Sequence, residues 1–246
     1  MRLASLLENF KTLGWRDGAL YTLSRMVEAI SMRRCRIVKY YLVAQPVAAQ
    51  PLVSVPPAPD FLIAQVDAHN PLVAQFPRPE AVIRGRYASG AVCFAASKQG
   101  RLVGFIWLKH GSYHEDEVRC VFVPLPTDTA IWDFDVYVDP AFRLSRAFLR
   151  LWDAAYAYLR AQGIVWTMSR ISGFNADSLT SHARLGAVRL GQATFLCLGS
   201  WQLCLSRLTP GWHFSRRVSD APNLQLRAPI EGSPSSQASP RNIPGR

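Results

Sequence analysis

Apolar and polar positions alternate through much of the middle of the chain, and the period of that alternation changes several times. "AVCFAAS" (91–97) and "RLVGFIWLKH" (101–110) are apolar runs on either side of a Lys-Gln-Gly turn and predict a β-hairpin. "EVRCVFVP" and "TAIWDFDVYVD" flank "PLPTD" and predict a second strand pair. In "IWDFDVYV" the alternation is strict, which puts Trp132, Phe134, Val136 and Val138 on one face and Asp133, Asp135 and Tyr137 on the other. The spacing then lengthens to three and four. Leu144, Phe148, Leu151, Trp152, Ala155 and Leu159 make one stripe of a long helix, which Gly163 terminates. "IVWTMS" predicts a strand, Ser178 to Leu185 a second helix, and "ATFLCLGSWQLCLS" a final strand or pair. Upstream, "RPEAVIRGRYASG" predicts a short helix stopped by Gly90. A meander leading into β-α-β-α-β is an α/β fold whose mixed, mainly antiparallel sheet is flanked by helices.

The flanks have other patterns. Residues 1–45 place Leu3, Leu6, Leu7 and Phe10, then Leu20, Leu23, Met26, Val27 and Ile30, at helical spacing and end in the strand-like "RIVKYYLV". This predicts an amphipathic N-terminal helical extension packed on the main body. Five prolines between positions 46 and 59 predict an extended connector. The body then spans 60–206, and 207–246 is a basic tail. From about residue 219 that tail is rich in Pro, Ser and Gly, which predicts disorder.

Charge sharpens this division. The net charge is +11, with eight Lys/Arg against three acids in 1–45 and six against two in 207–246, while 46–206 carries fourteen against twelve. Basic ends on a nearly neutral body suit an acidic partner or a membrane surface, with no specific nucleic acid implied. Five scattered cysteines without a Cys-x-x-Cys pair predict buried free thiols rather than a zinc or redox site. Glu8 and Lys11 interrupt the N-terminus too early for a signal peptide, so the chain reads as cytoplasmic.

Three motifs carry candidate chemistry. The strand "IWDFDVYVDP" runs through "AFRLSRAF" into the long helix; "NADSLTSHARLGA" (175–187) opens the second helix; "KQGRLVGFIWL" is a turn and strand. Together they resemble the GNAT (GCN5-related N-acetyltransferase) family over about residues 60–205. The resemblance implies an acyl-CoA N-acyltransferase fold, acetyl-CoA or another acyl-CoA as co-substrate, no metal, and a small-molecule amine as acceptor. It further implies that a Gln/Arg-x-x-Gly-x-Gly/Ala loop and the following helix N-terminus hold the pyrophosphate, through free amides and the helix dipole. Arg143 matches the first position of that loop, whereas Arg146 and Phe148 stand where the family has small residues. The implied cofactor-binding set is Val136, Val138, Arg143, Ser145, Arg146, Ala147, Asn175 and Ser178, the two valines through their backbone groups. His182 occupies the place of the family's tyrosine acid, and as an imidazolium it would protonate the departing thiolate.

An amine must lose a proton before it attacks a thioester. Asp133 and Asp135, two apart on one strand face, are the candidate bases, and each would raise the pKa of the other. The strand bulges near its end in the family, so the residues do not choose between them. "HGSYHEDE" (110–117) joins two strands and lacks the helix that would align its histidines on a metal; its acids suit a cationic substrate. The implied activity is direct transfer in a ternary complex, with an amino sugar or envelope precursor as acceptor. Two alternatives use the same fold: a relative with an aminoacyl donor, and a non-catalytic adaptor.

Overall fold

The computed structural model describes residues 3–32 and 34–229, with side chains placed from residue 12 onward. The N-terminal helix α1 (Leu3–Ile30) is broken at Gly14, where φ is 77°. Strand β1 (Cys35–Pro46) follows, then β2 (Phe61–Val66), helix α2 (Glu80–Ala88) and the hairpin β3 (Val92–Lys98) and β4 (Arg101–Lys109). Next come β5 (Tyr113–His114), β6 (Val121–Leu125), β7 (Ala130–Val138), helix α3 (Ala147–Ala161), β8 (Trp166–Ser172) and helix α4 (Ala176–Arg184). The described chain closes with β9 (Val188–Leu198), β10 (Trp201–Ser206), β11 (Trp212–Ser215) and β12 (Asn223–Arg227).

Nine strands form one sheet in the order β11-β10-β9-β1-β8-β7-β4-β3-β2, antiparallel at every junction except β7–β8. Helix α3 covers one face. Its stripe of Leu151, Trp152, Ala155, Tyr156 and Leu159 is buried against Val103, Ile106 and Ile131. Leu144 does not join that stripe. It lies in the turn before the helix and is fully exposed. Gly163, at φ 73°, ends the helix as its position predicts.

Three expectations about organisation are overturned. The helix expected in residues 1–45 is present as α1, but the stretch is not an extension, because β1 sits between β8 and β9 and is hydrogen-bonded to both. Its apolar run "IVKYYLV" is buried on both faces, as a central strand requires. The tail from 207 is not uniformly disordered: β12 pairs parallel with β6 and buries Leu224 and Leu226, while residues 230–246 lie outside the described residues. Finally, β6 does not pair with β7. It leaves the main sheet and, with β5 and β12, forms a small second sheet that covers the face opposite α3.

The 46–59 connector is extended and lies along α3. Asp153 accepts from the amides of Leu52 (2.6 Å) and Val53 (3.1 Å), and Arg150 and Arg160 donate to carbonyls of Val55 and Ala48.

Candidate functional site

The site grows from a failure of strand pairing. β7 and β8 run parallel and pair only over Ala130–Trp132 against Trp166–Met168. Past Trp132, β7 stays with β4, and their register shifts between Phe105 and Trp107. Asp135, on the bulged segment, has φ 48°, a conformation in which aspartate is several-fold enriched. The bulge reverses the alternation of the strand end. Ile131, Val136 and Val138 pack on the α3 side, and Trp132, Phe134 and Tyr137 on the other. Val136 and Val138 are therefore not on the face of Trp132 and Phe134, as strict alternation predicts.

Between the parted strands is a cleft of ≈ 250 Å³, lined among others by Asp133, Asp135, Val136, Arg170, Asn175 and His182. The two aspartates meet opposite environments. Asp135 is bound by Arg78 (Nε to Oδ2, 2.8 Å, with a second bond from Nη2) and by Arg86 Nη1 at 2.5 Å. Burial opposes its charge, but the two guanidiniums outweigh burial and hold its carboxyl below the ordinary range. Asp135 is thus an ionised clamp, not a base.

Asp133 is 2 % exposed and faces no cation. Burial pushes its pKa up to about 7, against the opposing effect of the Thr167 and Ser169 hydroxyls. Asp133 Oδ2, Thr167 Oγ1 and Ser169 Oγ are buried without a closed hydrogen bond. A carboxyl so placed changes charge near neutrality. The expected mutual influence of the two acids is absent, because the bulge turns them apart.

His182 is buried on α4, edge-on to the rings of Phe148 (6.3 Å) and Trp152 (5.8 Å). Gln45 of β1 donates from Nε2 to the Tyr156 hydroxyl (2.6 Å), so its Oε1 accepts from Nδ1–H of His182 at 2.9 Å. That chain leaves Nε2 as a bare lone pair. Burial lowers the pKa of the ring to about 4, and no neighbouring charge offsets it. The imidazolium acid expected at this position is corrected to a neutral imidazole. Asn175 accepts the Ser178 amide at 3.0 Å and caps α4, so both residues shape the cleft through the helix start.

A second cleft, of ≈ 650 Å³, opens where α3 begins. Val138, Arg143, Ser145, Phe148, Ser181 and Arg184 are among its lining residues. Phe148 forms a wall and does not fill it. No residue from 140 to 149 has a positive φ, so this turn does not need the missing glycines for its backbone conformation. Among the described residues neither Arg143 nor Arg184 has a carboxylate within 4.0 Å. Helix starts leave amides unpaired, and here Ser145 Oγ takes the Ala147 amide at 3.1 Å. Ala147 itself is buried, and Arg146 is exposed outside the cleft lining, so neither presents a side chain to a ligand there. Free guanidiniums over an aromatic wall fit a phosphorylated ligand such as coenzyme A.

On the opposite face lies a third cleft of ≈ 480 Å³, lined by Arg86, Lys109, Ser112, Tyr113, His114 and Asp116 among others. Phe134 lines both this cleft and the gap between the strands. Burial, then the neighbouring Glu115, raise the pKa of Asp116. Glu115 is itself fully enclosed and bonded to Arg170 at 2.6 and 2.9 Å. Among the described residues no group of three or more His, Cys, Asp or Glu could hold a metal.

Sequence reasoning missed Gln45, Tyr156 and Arg184. Arg184 stood two residues after His182 on a recognised helix and could have been found. Gln45 could not, because only the pairing of β1 with β8 and β9 brings it to His182, 137 residues away.

No model of a known protein family matches the chain, and no curated protein matches it. Solved structures show partial likeness at low identity. One is a conserved protein of unknown function from Staphylococcus epidermidis, at 14% identity and a TM-score of 0.45 over 71% of this chain and 67% of the other. Another is a tandem GNAT protein from the clavulanic acid biosynthesis pathway, at 16% identity and a TM-score of 0.44 over 62% of this chain; only half of its own length (50%) is spanned. A third is an aminoglycoside N-acetyltransferase in complex with CoA, at 19% identity and a TM-score of 0.40 over 54% of this chain and 90% of the other.

Proposed function

We propose that the protein is an acyl-CoA-dependent N-acyltransferase that moves an acetyl or longer acyl group to an amine. The observation that carries this reading is the juxtaposition of the splayed β7–β8 gap with the arginine-lined cleft at the start of α3. Arg143 and Arg184 hold the phosphates of acyl-CoA there, Phe148 and Val138 flank its chain, and the co-substrate supplies an activated acyl carbonyl. The acceptor enters from the opposite face, where Asp116, His114 and Ser112 meet its polar groups. An amino sugar or envelope precursor fits this lining, and the resemblance in sequence points the same way. Asp133, which lines the cleft between the parted strands, takes the proton of the acceptor amine through water in that cleft, which a group with a pKa of about 7 can do at neutral pH. His182 orients the cleft through Gln45 and Tyr156, and its Nε2 accepts a hydrogen bond. Cys93, Cys120, Cys197 and Cys204 do not serve as nucleophile, since burial raises their pKa values, that of Cys204 up to about 12.

Calorimetry with acetyl-CoA tests the donor. Binding is expected, and Arg143→Gln with Arg184→Gln should weaken it by about tenfold or more. Release of free thiol with a panel of amines then identifies the acceptor. Absence of heat at millimolar acetyl-CoA would refute the reading and leave the relative with an aminoacyl donor and the non-catalytic adaptor.

A further inference from the structure

The sheet face that carries α1 is only partly covered. α1 rests on β1 through polar residues: Asp17 accepts from Lys39 Nζ (2.5 Å) and the Tyr41 hydroxyl, and Ser24 Oγ donates to the Ile37 carbonyl at 2.8 Å. One edge of its apolar stripe points the other way: Leu23, Met26 and Ile30 are 49%, 52% and 80% exposed, while Leu20 and Val27 are half-buried and Tyr21 packs edge-on against Phe174.

Beyond β1 the same face has no cover among the described residues. Lys39, which points to α1, stands opposite Thr194, and the row continues through Leu205 to Trp212. The next row runs from Ile37 through Leu196 and Leu203 to Phe214, and Leu198 pairs with Trp201. Cross-strand partners share a face, so these side chains form one apolar surface. Trp212 is 70% exposed and Leu198 59%. The other side of the same strands, with Phe195, Cys197 and Cys204, is core. Single exposed apolar residues are ordinary, whereas a contiguous face marks an interaction site.

Charge selects the occupant. Arg216 lies over the Trp201 ring (4.9 Å) and Arg189 over the Tyr41 ring (3.5 Å), and Arg16 and Arg25 project from α1. The acids on this side, Asp17 and Glu28, are bound to Lys39 and Arg25. Two copies packed by this face would bring cations against cations. The segment 230–246 offers only Ile230 and Ile243 as large aliphatic residues, too few to cover the surface. Exposed tryptophans ringed by arginine match the headgroup region of an anionic bilayer. Among the described residues no helix is long and apolar enough to cross a membrane, so the contact is peripheral.

We propose that the apolar face of β9–β11, flanked by the outward edge of the α1 stripe, docks on the surface of an anionic phospholipid bilayer. Trp201, Trp212 and Phe214 enter the headgroup region, and Arg189 and Arg216 meet lipid phosphates. This docking is independent of the proposed catalysis.

Co-sedimentation of the full chain with phosphatidylcholine vesicles, with and without about one-third phosphatidylglycerol, tests it at roughly 0.1 M salt. Binding to the anionic vesicles should be at least about tenfold tighter than to neutral ones. Trp201→Ser with Trp212→Ser and Phe214→Ser, and separately Arg189→Gln with Arg216→Gln, should each weaken it by about tenfold or more. Thermal unfolding checks that each variant folds, and the arginine pair suffices if the serine variant does not. Equal binding to both vesicle types, none to either, or unchanged binding by a folded variant overturns the proposal. So does a lipid-free dimer by light scattering that those arginine substitutions strengthen, since a second copy would then be the occupant.

Discussion

At the scale of single residues, the proposed reaction rests on Asp133, a carboxyl that burial keeps from ionising until near neutral pH. Its folded pKa of about 7 lies above the unfolded value of 3.8, so the folded state binds the extra proton. Its contribution is fully present below the unfolded pKa and is lost as pH rises through the folded one. Asp133→Asn, of equal shape and never charged, should therefore stabilise the protein at pH 8 by on the order of 1–4 kcal/mol. The same change should lower kcat by about 100-fold or more. Thermal melts and turnover measured on one preparation check the pair of outcomes. A variant that is inactive and less stable at pH 8 would show that Asp133 is ionised and structural. His182 acts in the opposite sense. Its folded pKa of about 4 lies below 6.5, so the unfolded chain takes up the proton and stability falls as pH drops through that window. His182→Gln should flatten the acid limb of the stability profile between about pH 4 and 6.5. These environments were not legible in the sequence. Both aspartates sat in one alternating run, and only the positive φ of Asp135 separates them.

Elements were legible where one period ran uninterrupted. The spacing from Phe148 to Leu159 gave α3, and the Lys-Gln-Gly turn gave the β3–β4 hairpin. β6 departs from the expected pairing because "PLPTD" reads as a hairpin turn, whereas its strand finds a partner just over a hundred residues later in β12. The bulge of β7 left one trace in sequence, the glycine of the hairpin. A Cβ on Gly104 would lie 2.4 Å from the Tyr137 carbonyl oxygen and 3.1 Å from Leu151. Gly104→Ala should cost about 3 kcal/mol, since backbone blocks one side and α3 the other. Urea unfolding measures it. A cost near zero would mean that β4 and β7 can separate and that the register shift is not pinned there.

At the scale of the whole molecule, composition misled where it was used to draw boundaries. The basic N-terminal stretch and the proline run looked like appendage and linker, yet the first strand of the chain lies inside the sheet and the prolines lie along α3. The signal was present in "IVKYYLV", which is apolar without alternation, as strands buried on both faces are. A topology with β1 between β8 and β9 makes a definite claim about folding. A fragment spanning 47–229 loses the strand that joins the two halves of the sheet, together with Gln45, the partner of His182. It exposes the unpaired edges of both neighbours and the apolar surface under Tyr40 and Leu42. Such a fragment should show no cooperative thermal transition and should aggregate, while a peptide of residues 35–46 added in trans should bind it in the vacant register. If 47–229 instead melts cooperatively and stays monomeric, residues 35–46 are the dispensable extension their composition suggests. The clefts on either side of β7 would then owe nothing to the N-terminal strand.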